Sequence, residues 1–421
     1  MNAQSRLEGF SDADFDPFTL DVKIYGDTLN PYEKIAELRK SGNVHAGEYR
    51  TLFMQGPNKA LQEFNFKYFT VLGYDLVKHI LANPDLFSNK IHRHTIGRSF
   101  GRSLTTMDAP EHPIYRRIFQ KVFLPDAIKH WGENVVEPIV QDLIGKFAQR
   151  GRADLIDEFT FSYPFQVIFR QLNLPLEDRA TFHRLAIAQT IYPFDVEHAE
   201  EAGRKLGAYF VELIRDRRET PGDDMISALA NAELSGEKLP DEVVVSFFRQ
   251  LLNAGGDTTY RMTGTLLAAL LQNPDQLQAV RDDRELIPQA IEEALRWDGP
   301  ITDTFRLTTR DTELAGVPIP AGAVVDVVYG SANRDPAYYP NPDKFDIFRK
   351  SAHRHFGVGG GPHVCIGQHL ARLEIKRALN VIFDRLPNLR LDPNMPLPEI
   401  RGFRLRTAAH LHVAFDPVSK H

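Results

Sequence analysis

Gly359-Gly360-Gly361-Pro362-His363-Val364-Cys365-Ile366-Gly367 runs without a break into Gln368-His369-Leu370-Ala371-Arg372-Leu373-Glu374, whose apolar spacing is helical. A thiol is therefore held on a glycine-rich loop at the mouth of a helix. The partial positive charge of a helix N-terminus favours thiolate over thiol. Cys365 is the only cysteine among 421 residues. An intramolecular disulfide, a CxxC redox pair and a multi-cysteine zinc or iron–sulfur site are all excluded. Two uses remain open: a single thiolate ligand to a large cofactor, or a catalytic nucleophile.

The chain is long enough to bury a large core. Its apolar content of 43% and charged content of 25% are ordinary for a globular protein, and its formal net charge of -6 argues against nucleic acid as the main partner. Met1 to Pro17 is polar and acidic and lacks the basic and apolar regions of a signal peptide. No run of about 18 apolar residues is present, so no membrane span is expected. Cytoplasm is the expected location by default. With no repeat or low-complexity linker, we expect one continuous domain over 1–421, with residues 1–20 poorly ordered. The expected fold is mainly α with small β-sheets. Strand patterns occur at Phe66 to Leu72 and at Ala323 to Tyr329, the latter after a turn at Gly316–Gly322. Arg404 to Phe415 reads as a C-terminal strand pair.

The longest helical pattern spans Asp241 to Leu271, with Val244, Phe247, Phe248, Leu251 and Leu252 on one stripe, Pro240 before it and Asn273-Pro274 after it. At 1.5 Å per residue it crosses the whole molecule. Its middle, Ala254-Gly255-Gly256-Asp257-Thr258-Thr259, is anomalous. Two mid-helix glycines cost about 1 kcal/mol each relative to alanine, and the polar side chains need partners if buried. Either the glycines allow a close helix crossing, or the helix opens locally beside a flat ligand. In the second case Thr258 offers a hydroxyl and Asp257 a carboxylate. Further on, Glu293 and Arg296 share a helix face, and Arg349 is a candidate to join them in a buried cluster.

Taken in order, Ala254 to Thr259, Glu293-x-x-Arg296, Phe345 to Arg349 and Gly361-x-His363-x-Cys365-x-Gly367 resemble the cytochrome P-450 family, the heme-thiolate monooxygenases, and most of all its soluble bacterial type. The resemblance runs from about Asp108 to the C-terminus. It implies a single triangular domain with a long central helix crossing heme b. Cys365 matches the axial thiolate of the iron, and an electron-rich sulfur favours O–O cleavage. Asp257 and Thr258 match the acid–alcohol pair that hands protons to dioxygen. His112, Arg116, Arg306 and His363 match the propionate partners, and Ala254, Gly255, Val358, Gly359 and Gly367 the surroundings of the porphyrin. Glu293, Arg296 and Arg349 match a structural triad. Val358 departs from the family's usual phenylalanine, which leaves the sulfur less shielded.

By the same resemblance, the substrate pocket comprises Ile96, Phe100, Ile191, Phe247, Leu251, Ile301, Asp303, Phe305 and Phe403. That set suits a small to medium, mostly apolar molecule with a polar handle. Electrons come from a ferredoxin or flavodoxin with its reductase, since no flavin or iron–sulfur sequence is present. Arg372 resembles a position on the basic face that meets an acidic partner. A monomer is expected. The competing readings are peroxide-driven oxygenation, desaturation or C–C coupling on the same scaffold, and a non-catalytic heme protein that binds a ligand. Asp257-Thr258 argues against the peroxide-driven reaction and the ligand binder.

Overall fold

The computed structural model describes residues 7–12, 14–25, 28–53 and 58–418. Helix accounts for 55% of it. The central helix runs over Asp241–Leu271, 31 residues, with Pro240 as its cap and Asn273-Pro274 past its end. Its two halves lie in different cores. The N-terminal half packs Val244, Phe248 and Leu252 against Leu206, Phe210 and Leu213 of the helix Val196–Glu219 and against Phe165 and Ile168 of the helix Tyr163–Gln171. The C-terminal half packs Leu266, Leu267 and Leu270 against the helices Ile287–Asp298 and Gln368–Arg385. The polar stretch around Asp257 falls between these apolar blocks.

The strands that frame the site are β1 (Val44–Ala46), β2 (Tyr68–Val71), β3 (Phe87–Ser88), β4 (Arg152–Asp154), β5 (Thr304–Thr308), β6 (Val324–Val327), β7 (Arg390–Leu391) and β8 (His412–Ala414). The largest sheet has the order β1-β2-β6-β5-β3, with β6 parallel to β2 and the other pairs antiparallel. The strand patterns at Phe66–Leu72 and Ala323–Tyr329 thus correspond to β2 and β6, joined side by side.

Two strand expectations are corrected. Gly316–Gly322 is not a simple turn: Val317–Ile319 is itself a strand, paired with Thr312–Leu314 around Ala315 and Gly316, both at positive φ. Arg404–Phe415 is not a self-paired hairpin. Thr407–Ala408 pairs with Ile400–Arg401, while β8 lies between β4 and β7. Alternating apolar residues show that a segment is a strand, but not which distant edge it joins.

Within the stretch expected to be poorly ordered, Leu7 is buried and Pro17–Tyr25 is helical. Residues 1–6 and 13 lie outside the described residues. No described helix is long and apolar enough to cross a membrane.

Candidate active site

The central helix is unbroken through Ala254–Thr259. Of the two readings open for this stretch, the local opening does not occur and the close crossing does. Gly255 and Gly256 face the helix Tyr163–Gln171: a Cβ on Gly255 would fall 2.5 Å from Ile168 Cδ1, and one on Gly256 3.2 Å from Phe165 Cδ2. They are the close-crossing residues. The other face carries Gln250, Asn253, Ala254, Asp257 and Thr258, spaced i, i+3, i+4, i+7, i+8, and this stripe lines a cavity of about 340 Å³.

Thr258 Oγ1 donates to the Ala254 carbonyl at 2.8 Å. Asp257 is buried and accepts from Arg261 Nε at 3.0 Å, while Arg261 Nη2 donates to Asp21 Oδ2 at 2.6 Å. One guanidinium therefore serves two carboxylates. Burial pushes the Asp257 carboxyl up to about 6, with Asp21 adding repulsion and Arg261 opposing it. Arg261 is held well above its ordinary range, because the two carboxylates outweigh its burial.

The opposite wall of the cavity contains Val358, Gly359, His363 and Cys365. Cys365 N–H donates to the Val358 carbonyl at 2.9 Å, which folds the loop back on itself. Gly361, at φ +63°, is required: a Cβ there would sit 1.9 Å from the Leu81 carbonyl oxygen. The accessible surface of Cys365 faces the cavity. Burial pushes its thiol up, while the Gly367 and Gln368 N–H groups and the positive charges of Arg116 and Arg372 pull it down. Those donors stabilise a thiolate, and metal coordination deprotonates a thiol outright.

A cationic group lies beside this loop. The His112 and His363 rings lie with centroids 3.9 Å apart, tilted by 35°, and His112 Nε2 is buried with no hydrogen-bond partner among the described residues. Burial and Arg116 push His112 down to about 4, against Asp108; burial, His112, Arg306 and Arg116 push His363 down to about 2. Arg306 is buried and donates to the Phe305 carbonyl and Thr304 Oγ1. Among the described residues neither Arg116 nor Arg306 has a carboxylate within ion-pair distance. Arg116 is half-buried, while Arg306 is buried, and a buried cation without an anion is costly. A cofactor with one thiolate-binding metal and two carboxylates answers the thiol, the orphaned imidazole nitrogen and both guanidiniums together. These residues therefore fit heme.

The substrate-pocket expectation divides by side-chain direction. Ile96, Phe100, Ile301 and Asp303 line the cavity. Ile191, Phe247, Leu251, Phe305 and Phe403 do not. Phe305 is corrected by strand parity, since its neighbour Thr304 faces the cavity and Phe305 packs with Leu61, Ile91 and Val324. Leu251 is one residue off the helix stripe. Phe247 lies one turn beyond the cavity and stacks on Phe119 at 4.2 Å. Ile191 packs with Ala60 and Ala199, leaving Thr190 and Tyr192 on the wall. Phe403 packs with Tyr49, leaving Arg404 and Leu405 on the wall. His92, Gln250 and Asn253 also line the cavity. The last two were readable as i-7 and i-4 from Asp257.

Glu293, Arg296 and Arg349 do converge, away from the cavity. Arg296 binds Glu293 at 2.7 and 2.8 Å, and Arg349 Nε reaches it at 3.2 Å. Arg372 is not a free basic group: it holds Glu292 at 2.6 and 3.0 Å, and His355 joins them. Hydrogen bonds from His355 and Arg372 overcome burial and hold Glu292 down at about 2.

The family model described as cytochrome P450 matches residues 63–399. The monooxygenase PikC of Streptomyces venezuelae is 32% identical over 92% of this chain and 93% of its own length. A putative cytochrome P450 133B1 of Xylella fastidiosa is 37% identical, over 70% of this chain and 74% of its own. The myxobacterial CYP267B1, solved with myristic acid, superposes with a TM-score of 0.82 at 30% identity, covering 94% of this chain and 99% of that one. CYP109E1 of Bacillus megaterium, solved with testosterone, gives 0.78 at 30% identity over 92% and 99%. The chain belongs to the cytochrome P450 family and is a heme b-dependent monooxygenase of the bacterial type.

Proposed function

We propose that this enzyme oxygenates a small to medium, mostly apolar molecule with one polar handle, taking electrons from a separate ferredoxin or flavodoxin and its reductase. The observation that carries the reading is that Asp257 and Thr258 face the same cavity as Cys365. Heme bound there supplies the iron at which dioxygen is activated. Cys365 is its thiolate ligand, and His112, His363, Arg116 and Arg306 take its carboxylates. Thr258 already donates its hydroxyl proton to Ala254, so what it offers the cavity is an acceptor oxygen that orients a proton-bearing group. Asp257 is the acid behind it, since its carboxyl exchanges a proton near neutrality. Val358 covers the sulfur side with an aliphatic group.

Ile96, Phe100 and Ile301 supply apolar wall, while Asp303, Gln250 and Asn253 supply polar points. Relatives solved with testosterone and with myristic acid support an apolar substrate. The protein acts as a cytoplasmic monomer in this reading. A panel of terpenoids, aromatic acids, fatty acids and steroids, screened for displacement of iron-bound water as a high-spin absorbance shift, tests it. We expect mono-functional apolar compounds to give the shift. A panel in which only strongly polar compounds respond overturns the substrate class.

A further inference from the structure

β4 and β8 pair antiparallel with Asp154 opposite His412. His410 lies two residues before His412, on the same side of an extended chain. Both imidazoles meet the Asp154 carboxylate: His410 Nδ1 is 2.7 Å and His412 Nδ1 3.6 Å from Asp154 Oδ2. The two rings are nearly parallel, 7° apart, with centroids at 5.4 Å. All three ligand atoms lie within 4.8 Å of one another. Asp157 Oδ2 stands 3.8 Å from His410 Nδ1 as a fourth donor.

We propose that Asp154, His410 and His412 form a surface site for a first-row divalent cation of the zinc class, with Asp157 as an additional ligand. Asp154 Oδ1 is held by the N–H groups of Leu411 at 2.9 Å and Ile156 at 3.0 Å, which leaves Oδ2 directed at the imidazoles. A carboxylate oriented by such outer hydrogen bonds is a pre-organised ligand. Zinc–nitrogen and zinc–oxygen bonds of about 2.1 Å in a tetrahedron separate ligand atoms by roughly 3.4 Å. The observed spacings bracket that value, and the His410 side chain, 60% exposed, has room to rotate into place. Asp154 hydrogen-bonds His410, whereas the His412 ring at 3.6 Å is within ion-pair but not hydrogen-bond reach, so its Nδ1 makes no hydrogen bond to that carboxylate. A cation engages both rings and the Asp154 carboxylate at once. Two imidazole donors select zinc, nickel or copper over magnesium or calcium. Bound there, the ion ties the C-terminal strand to β4 and to the turn that follows it.

Zinc binding to heme-loaded, tag-free, chelator-treated protein tests the proposal by equilibrium dialysis. We expect one equivalent to bind the wild type, with magnesium failing to compete. His410→Ala and His412→Ala are each expected to weaken binding at least tenfold, with the heme spectrum unchanged as the check on folding. His410→Ala removes an exposed ring, so folding does not confound it. The proposal is overturned if wild-type protein takes up no zinc at about 100 µM, or if the His410→Ala variant binds it as tightly as wild type.

Discussion

Arg349 Nε donates to Glu293 at 3.2 Å across 56 residues of chain. Glu293 is fully buried and also holds Arg296, while both arginines bind the backbone carbonyls of the 340–344 segment. One carboxylate thus pins the helix Ile287–Asp298 to the loop that leads into the cysteine segment. Glu293→Gln leaves buried positive charge without its anion. We expect a loss of about 3–5 kcal/mol in urea unfolding and easier heme loss, with turnover per remaining heme unchanged. An unaltered unfolding midpoint would contradict the pinning role.

Gly255 and Ile168 make a second test. An alanine in mid-helix normally gains about 1 kcal/mol over glycine. Here its Cβ would meet Ile168 Cδ1, and overpacking costs about 1–3 kcal/mol. Gly255→Ala should therefore destabilise with an unchanged heme spectrum, and adding Ile168→Val should recover most of the loss. A more stable Gly255→Ala protein would show that the crossing has slack.

Asp257 predicts a pH dependence. Its folded value of about 6 lies above the ordinary 3.8, so the folded state binds the extra proton. That contribution is fully present below about pH 4 and is lost as pH rises through about 6, to a total of at most about 3 kcal/mol. Asp257→Asn removes the titration and keeps the shape. Comparing the two proteins by urea unfolding from pH 4 to 7.5 should show the wild type losing stability relative to the variant across that window. Turnover of the variant should fall about 100-fold, the lower range for a positioned acid. Parallel stability curves would place the titration elsewhere.

Thr258→Ala should keep heme and the ligand-induced spectral shift but lower product per electron, with reducing equivalents appearing as peroxide or water. The lost Ala254 hydrogen bond is local to one helical turn, so unfolding should change by less than about 1 kcal/mol. Equal product yield per electron would remove Thr258 from proton handling.

The sequence by itself determined the elements whose signal is local. The central helix was readable from its apolar stripe and its flanking prolines. The thiolate loop was readable from glycines that must pass close to other backbone, and the family from the order of its motifs. Tertiary structure decided whatever depends on which distant surface a residue meets. It set Gly255 and Gly256 against Ile168 and Phe165, because a helix has two faces and periodicity does not name their partners. It set Thr304, and not Phe305, on the cavity wall, because strand parity fixes sides only once the sheet's neighbours are known. It gave Arg372 to Glu292 and Arg261 to both Asp257 and Asp21, because long charged side chains pair with whatever acid folding brings within reach. Asp154 and the two C-terminal histidines meet for the same reason: more than 250 residues separate them in the chain, and only the register of β4 on β8 makes them neighbours.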